Sequence, residues 1–164
     1  MKKHTVHLLL FLAAFLLFAL YGLRGMPEPE LLMRIDSATY LAPARSLLNS
    51  FSYADASGVP TALRVPLYPA FLALSLAVSG NSLLFCILMN CALSAIAVPI
   101  LHQAALEFTE NKRIALTASL LLMFSPTEIA FAPMFLSEGM FVTMVSFELL
   151  FFLRFLRTHR NLPL

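Results

Sequence analysis

Apolar runs of unequal length limit what this chain can fold into. They cover 8–23, 66–79, 82–106, 114–131 and 135–153. A membrane-spanning helix takes about 20 predominantly apolar residues, with about 17 at the lower end, whereas runs of 10–14 are more often interfacial or re-entrant. Composition agrees with several spans, because 60% of the residues are hydrophobic and only 12% are charged. Soluble domains carry about 25% charged residues. The chain therefore reads as an all-α integral membrane protein.

Charge decides which runs cross. Cytoplasmic flanks are enriched in Lys and Arg. Three basic clusters stand out: Lys2 and Lys3, Lys112 and Arg113, and Arg154, Arg157 and Arg160. Placing all three inside requires an even number of crossings. Dropping the short run 66–79 leaves four spans, roughly 8–23, 82–106, 114–131 and 135–153, with one large outer loop at 24–81. The positive start followed by an apolar run also fits a secretory signal. No A-x-A-like site follows it, so an uncleaved signal anchor is expected, with the N-terminus cytoplasmic. The large loop is then periplasmic or extracellular, and a bacterial inner membrane is the expected location.

The outer loop is expected to lie on the membrane. Leu31, Leu32, Ile35, Ala38, Thr39, Ala42, Leu47 and Leu48 recur at near-helical spacing, which suggests an amphipathic interfacial helix. "DASGVPTALRVPLYP" is a Gly/Pro/Ser loop. The run 66–79 then forms a second helix dipping into the interface.

Within this loop, "RIDSATYLAPARSLLNSFSY" (34–53) is unusually polar for so oily a chain. Asp36 is the first candidate residue. It reads equally as a helix N-cap, a favoured place for Asp, and the two roles are compatible. Glu138, in "MFLSEGMF", falls near the outer end of the fourth span. A carboxylate in or beside a span usually faces a bundle interior or a watery cavity, although a first-turn Glu is also favoured by the helix dipole. Four crossings put both acids on one membrane face. Two such carboxylates can share a divalent metal ion, or divide into a base and a cation-stabilising partner. Arg34, Arg45 and Arg64 share that face, and arginine grips phosphate by bidentate hydrogen bonds. Each Arg taken singly also reads as a snorkelling side chain.

Other polar residues point elsewhere. Asn90 and His102 are expected to hydrogen-bond between helices. Glu148 lies mid-span, where it would make a helix–helix contact or touch a partner segment. Glu128 is a secondary candidate on an outer turn. Cys86 and Cys91, five residues apart on one helix, point in different directions and do not readily bridge. No Cys/His cluster, phosphate-binding glycine loop or GxSxG is present, and the net charge of +2 gives no case for nucleic acid.

"DSATYLAPARSLLNSFSY", "LRVPLYPAFLAL" and "NKRIALTASLLLMFSPTEIAFAPMFLSEGMFVTMVSFELLFFLRFLR" together resemble the N-terminal half of GT-C-type membrane glycosyltransferases. The nearest set is the protein-mannosyltransferase and aminoarabinose-transferase-like group, with the lipopolysaccharide-core sugar transferases. Its motif order is matched by Asp36 with Tyr40, by Arg64, Pro66, Leu67, Tyr68 and Pro69, by Lys112 with Arg113, by Ser125 with Pro126, and by Glu138. Val65 stands where the family often has Pro. The resemblance implies transfer of a sugar from a polyprenyl-phosphate donor on the non-cytoplasmic face. Asp36 would be the catalytic base and Glu138 the second acid, with a divalent metal near these two. Tyr40, Arg64, Tyr68 and Arg45 would contact substrate. The family has more spans and often an outer C-terminal domain, so the resemblance also implies a single N-terminal module, 1–164, whose C-terminal half is a missing partner. The alternative reading is a non-catalytic four-span accessory or scaffold protein.

Overall fold

The computed structural model describes residues 3–25 and 35–159. It is all-helical, with no strand among the described residues. The helices are α1 (Lys3–Arg24), α2 (Ile35–Ser50), α3 (Leu67–Ser79), α4 (Leu83–Thr109), α5 (Lys112–Met123), α6 (Pro126–Phe131) and α7 (Glu138–His159).

Three of these, α1, α4 and α7, are long and apolar enough to cross a membrane. The chain is thus an integral membrane protein. Ser82 starts α4 by accepting a hydrogen bond from the Phe85 N–H at 3.3 Å, a standard N-cap. Glu110 ends it in the left-handed region at φ 54°. α4 is the central post, with α1, α5 and α7 packed around it. Small residues let the backbones approach, as is common between membrane helices. A Cβ added at Gly139 of α7 would collide with Ser94 Oγ of α4. One turn on, Thr143 Oγ1 donates to the Leu93 carbonyl across the same crossing at 2.7 Å. Leu10, Ala14 and Phe18 bury one face of α1 in the core. Cys86 and Cys91 are both buried and free.

The expected span 114–131 is not one helix. Pro126 has no N–H to give the ladder and biases the residue before it away from helix. Ser125 accordingly adopts φ −60° and ψ 123°, and the run splits into α5 and α6. The 12 residues of α5 extend about 18 Å, short of a hydrocarbon core of about 30 Å.

Side-chain contacts fix which helix ends lie together. His7 of α1 meets the His102 ring edge-on at 5.3 Å. Arg154 of α7 grips Glu107 with Nε and Nη2 at 3.0–3.2 Å, and Arg157 pairs with Glu110 at 2.8 Å. α5 begins two residues beyond Glu110. Lys112, Arg113, Arg154 and Arg157 therefore share one end of the bundle, beside the start of α1. At the other end, a Cβ at Gly22 would lie 2.7 Å from Pro133 Cβ. Residues 112–133 thus run from end to end in two pieces.

The face of α2 differs from the sequence expectation. Ser37, Tyr40, Leu41 and Ala44 are buried, whereas Ala38 is exposed and Ala42 only partly covered. Ring contacts and hydrogen bonds of Tyr40 set this rotation, which hydropathy alone does not register. Asp36 lies within the first turn of α2 rather than at its cap.

Candidate functional site

The site is built at the end of the bundle away from the basic clusters. Asp36 and Tyr40 are one turn apart on α2, so their side chains rise on the same face. Arg64 reaches them from the loop between α2 and α3. That loop is closed by a turn in which Asp55 Oδ1 accepts from the Ser57 N–H at 2.9 Å, the Ser57 hydroxyl at 2.6 Å and the Val59 N–H at 3.0 Å. These bonds, the Ser57 hydroxyl first, hold the Asp55 carboxyl below its ordinary value. Gly58 sits at φ 81°, a conformation that costs glycine little. Tyr53 then donates its hydroxyl to the Arg64 carbonyl at 2.7 Å. Burial first, and the nearby Tyr40 second, push the Tyr53 hydroxyl up.

Arg64 is held three ways. Its Nη2 lies 2.5 Å from Asp36 Oδ1. Its Nε donates to Thr39 Oγ1 at 2.9 Å. Its guanidinium carbon stands 4.6 Å from the centre of the Tyr40 ring, within reach of a cation–π attraction. Asp36 remains 56% exposed and Arg64 25% exposed, so the ion pair alone contributes about 1 kcal/mol or less.

A second line of contacts ties this head to the bundle. The Tyr40 hydroxyl and Ser137 Oγ are 2.9 Å apart. The Tyr40 and Tyr68 rings meet edge-on at 5.1 Å. Tyr68, buried on α3, donates to Asn90 Oδ1 at 3.1 Å, and Asn90 Nδ2 donates to the Met134 carbonyl at 3.0 Å. Burial is the main cause that raises the Tyr68 hydroxyl; its bond to Asn90 acts against this, and the charge of Glu138 adds to the rise.

Between the α2–α3 segment and α7 lies a cavity of about 350 Å³. Tyr40, Arg64, Tyr68 and Ser137 give it polar groups. Leu63, Val65, Leu67, Met140, Phe141 and Met144 make the apolar wall. One guanidinium thus borders a groove that is otherwise mostly hydrocarbon.

Of the residues singled out in the sequence, Asp36, Tyr40, Arg64 and Tyr68 come together here. Glu138 is the first residue of α7, exposed, and directly follows Ser137. It is near enough to Tyr68 to act on its hydroxyl, and no hydrogen bond joins it to Asp36 among the described residues. Arg45 does not join them. Nine residues beyond Asp36, it points about 180° away and sits about 13 Å along α2, exposed on the opposite side. Arg34 lies outside the described residues. Thr39, Ser137 and Asn90 enter the cluster although sequence reasoning gave the first two no role. Ser137, Met140, Phe141 and Met144 recur at helical spacing, which is the signal that marks this face.

No family model matches the chain, and neither a curated protein nor a solved structure does. No group of three or more His, Cys, Asp and Glu side chains converges among the described residues. Asp36 and Glu138 supply two carboxylates, one already facing a guanidinium. A hard cation held by one or two carboxylates completes its oxygens from water and substrate phosphate, so these two would be the residues to hold one. The chemistry this arrangement offers is an anion site on Arg64, a carboxylate that an anion would displace, and a mostly apolar groove beside both.

Proposed function

We propose that this chain binds a polyprenyl-phosphate sugar donor at the Arg64 groove and transfers the sugar to an acceptor, as a GT-C-like glycosyltransferase module. One observation carries the reading: the Arg64 guanidinium, fixed by Asp36 and Tyr40, stands at an apolar cavity between α3 and α7. The phosphate fits the guanidinium, and the isoprenoid fits the Leu, Val, Met and Phe wall. The proposal takes residues 112–133 as a fourth crossing in two pieces. It takes α2 and α3 as interfacial helices, with the basic end cytoplasmic in a bacterial inner membrane. Phe51, Leu63 and Val65 are strongly exposed on the connecting loop, which suits contact with a membrane interface.

The step follows from the ion pair. Donor phosphate competes with Asp36 for Arg64. Once released, the Asp36 carboxylate accepts the acceptor hydroxyl's proton while that oxygen attacks the anomeric carbon. The bond from that carbon to phosphate breaks, and the polyprenyl phosphate leaves with the electron pair, its charge held by Arg64. General base help is worth roughly 10²–10⁴ in rate. Glu138 stands by as the second acid. No step is routed through a metal.

The test uses full-length protein in proteoliposomes, with polyprenyl phosphate for binding and a panel of its radiolabelled sugar esters for transfer. Asp36→Asn should bind polyprenyl phosphate and lose transfer. Arg64→Ala should weaken binding about tenfold, which is about 1.4 kcal/mol. The scaffold reading draws on a different observation, the chain of contacts from Arg64 through Tyr40, Tyr68 and Asn90 to Met134, which also serves to fasten α2 and α3 to the bundle. Full activity of the host pathway in the double variant Asp36→Asn, Glu138→Gln would decide for it.

A further inference from the structure

We propose that a second recess, next to the Arg64 groove and distinct from it, binds a neutral polyhydroxyl ring, which on the sugar-transfer reading above is the acceptor. The recess encloses about 310 Å³, at the lower end of the roughly 300–1,000 Å³ of small-molecule sites. It lies between α2 and the loop that follows it. Ala38, Ala42 and Pro43 make the α2 wall mostly apolar, and Asp55, Ser57 and Thr61 make the loop wall mostly polar. That division suits a sugar ring, whose faces carry C–H bonds and whose edge carries hydroxyls. Thr39 stands at the partition between the two cavities. It lines the recess, donates its hydroxyl to the Asp36 carbonyl at 2.6 Å and accepts from Arg64 Nε at 2.9 Å. Leu63 lines both cavities.

The hydrogen-bonding capacity of the loop wall sets the ligand class. The three bonds that the Asp55 carboxylate accepts all fall on Oδ1, which leaves Oδ2 to accept. Thr61 Oγ1 accepts from the Leu63 N–H at 3.2 Å and keeps its O–H to donate. The Ser57 O–H is engaged by Asp55, and its oxygen still accepts. Acceptors and a donor thus stand side by side. Neighbouring hydroxyls match such a wall, because each one both donates and accepts. An anion does not match it: Asp55 repels one, and Arg64 is not part of the wall. The wall is also preformed. The Asp55 N–H donates to the Val59 carbonyl at 2.9 Å and the Thr61 N–H to the Tyr53 carbonyl at 3.1 Å, so little has to be ordered on binding. In the transfer step the acceptor oxygen must approach the anomeric carbon opposite the departing phosphate. Phosphate in the groove and a ring in the recess would flank the Asp36–Arg64–Thr39 link from its two sides, the orientation that such a displacement needs. The Asp36 carboxylate, 56% exposed and one turn before Thr39, is open to a hydroxyl arriving there.

The test is photolabelling of the full-length protein in proteoliposomes with a diazirine-bearing methyl hexoside, with no donor present. Label should fall on residues 53–63, and excess plain methyl hexoside should lower it at least fivefold. Thr61→Val removes the free donor, and Ala42→Leu fills the recess from α2. Each should lower the label at least fivefold, while polyprenyl phosphate binding and the unfolding midpoint stay at the parent values. Label confined to the Arg64 groove, or label indifferent to both variants, would overturn the proposal. So would competition by inorganic phosphate or methylamine in place of the hexoside. With radiolabelled donor added, Thr61→Val should raise the KM for the hexoside at least fivefold and leave kcat unchanged. Transfer with an unchanged KM would overturn the acceptor role. Recess labelling without any transfer would instead sink the sugar-transfer reading and leave the binding site standing.

Discussion

The Tyr68 hydroxyl and the Asn90 amide share a buried hydrogen bond of 3.1 Å that joins α3 to α4. Asn90 passes the contact on to the Met134 carbonyl, so one amide satisfies groups on two other segments. Tyr68→Phe strands the Asn90 oxygen in a buried site. Leaving such a group unsatisfied costs about 1–3 kcal/mol. Thermal unfolding of purified protein in detergent should show that loss. Tyr68→Phe combined with Asn90→Leu should cost less than the two single changes added together, because they remove one shared interaction.

The Gly139–Ser94 crossing gives a second stability test. A methyl group at 139 has no room beside Ser94 Oγ, while its distance to Ser94 Cβ would be 3.4 Å. Gly139→Ala should therefore destabilise by about 1–3 kcal/mol, the usual cost of overpacking. Adding Ser94→Ala removes the colliding oxygen and should restore most of the loss. Among the described residues Ser94 Oγ has no hydrogen-bond partner, so its removal alone should cost little. Unfolding midpoints of the two single variants and the double variant check all three statements.

The Asp55 turn predicts a pH dependence of the loop that delivers Arg64. The Ser57 hydroxyl and the Val59 N–H favour the carboxylate, so the folded value lies below the ordinary 3.8. A carboxyl depressed by folding stabilises above its unfolded value, and that contribution fades as pH falls through the folded one. The loop should hold at pH 5–7 and loosen only below the ordinary Asp range. Amide exchange at Ser57 and Val59 between pH 2 and 6 reads this directly. Asp55→Ala should remove the protection at every pH in that range.

Hydropathy made the three long helices legible, since each is a nearly continuous apolar run in a chain otherwise broken by Pro, Gly and charge. The break at Ser125 falls in the short stretch Ser-Pro-Thr-Glu, 125–128, which a single span drawn through 131 passes over. The buried side of α2 was misjudged for a related reason. Tyr40 is held in burial by its hydrogen bond to Ser137 and its ring contact with Tyr68, and a polarity count passes over it and over buried Ser37. Asp36 and Arg64 could each be picked out as unusual in an oily chain. Their pairing across 28 positions depends on the Asp55 turn, which no hydrophobic period encodes. Arg45 and Arg64 look alike in composition; helical angle and rise carry Arg45 away from Asp36, while the α2–α3 loop brings Arg64 to it.

The arrangement of helix ends makes a last prediction about topology. Tyr40 touches Ser137, next to Glu138, while Lys112 begins α5 at the end where Arg154 meets Glu107. Asp36 and Glu138 therefore sit at one end of the bundle and Lys112 at the other. If residues 112–133 cross the bilayer in their two pieces, single cysteines placed at 36, 70 and 138 should react with an impermeant thiol reagent from one compartment. A cysteine at 112 should react only from the other. Buried Cys86 and Cys91 should stay silent in intact membranes, which leaves the engineered sites readable. Labelling of 36 and 138 from opposite sides would remove the shared surface on which sugar transfer is proposed. Labelling of 112 from the same side as 138 would mean that α5 and α6 fold back without crossing, leaving three spans.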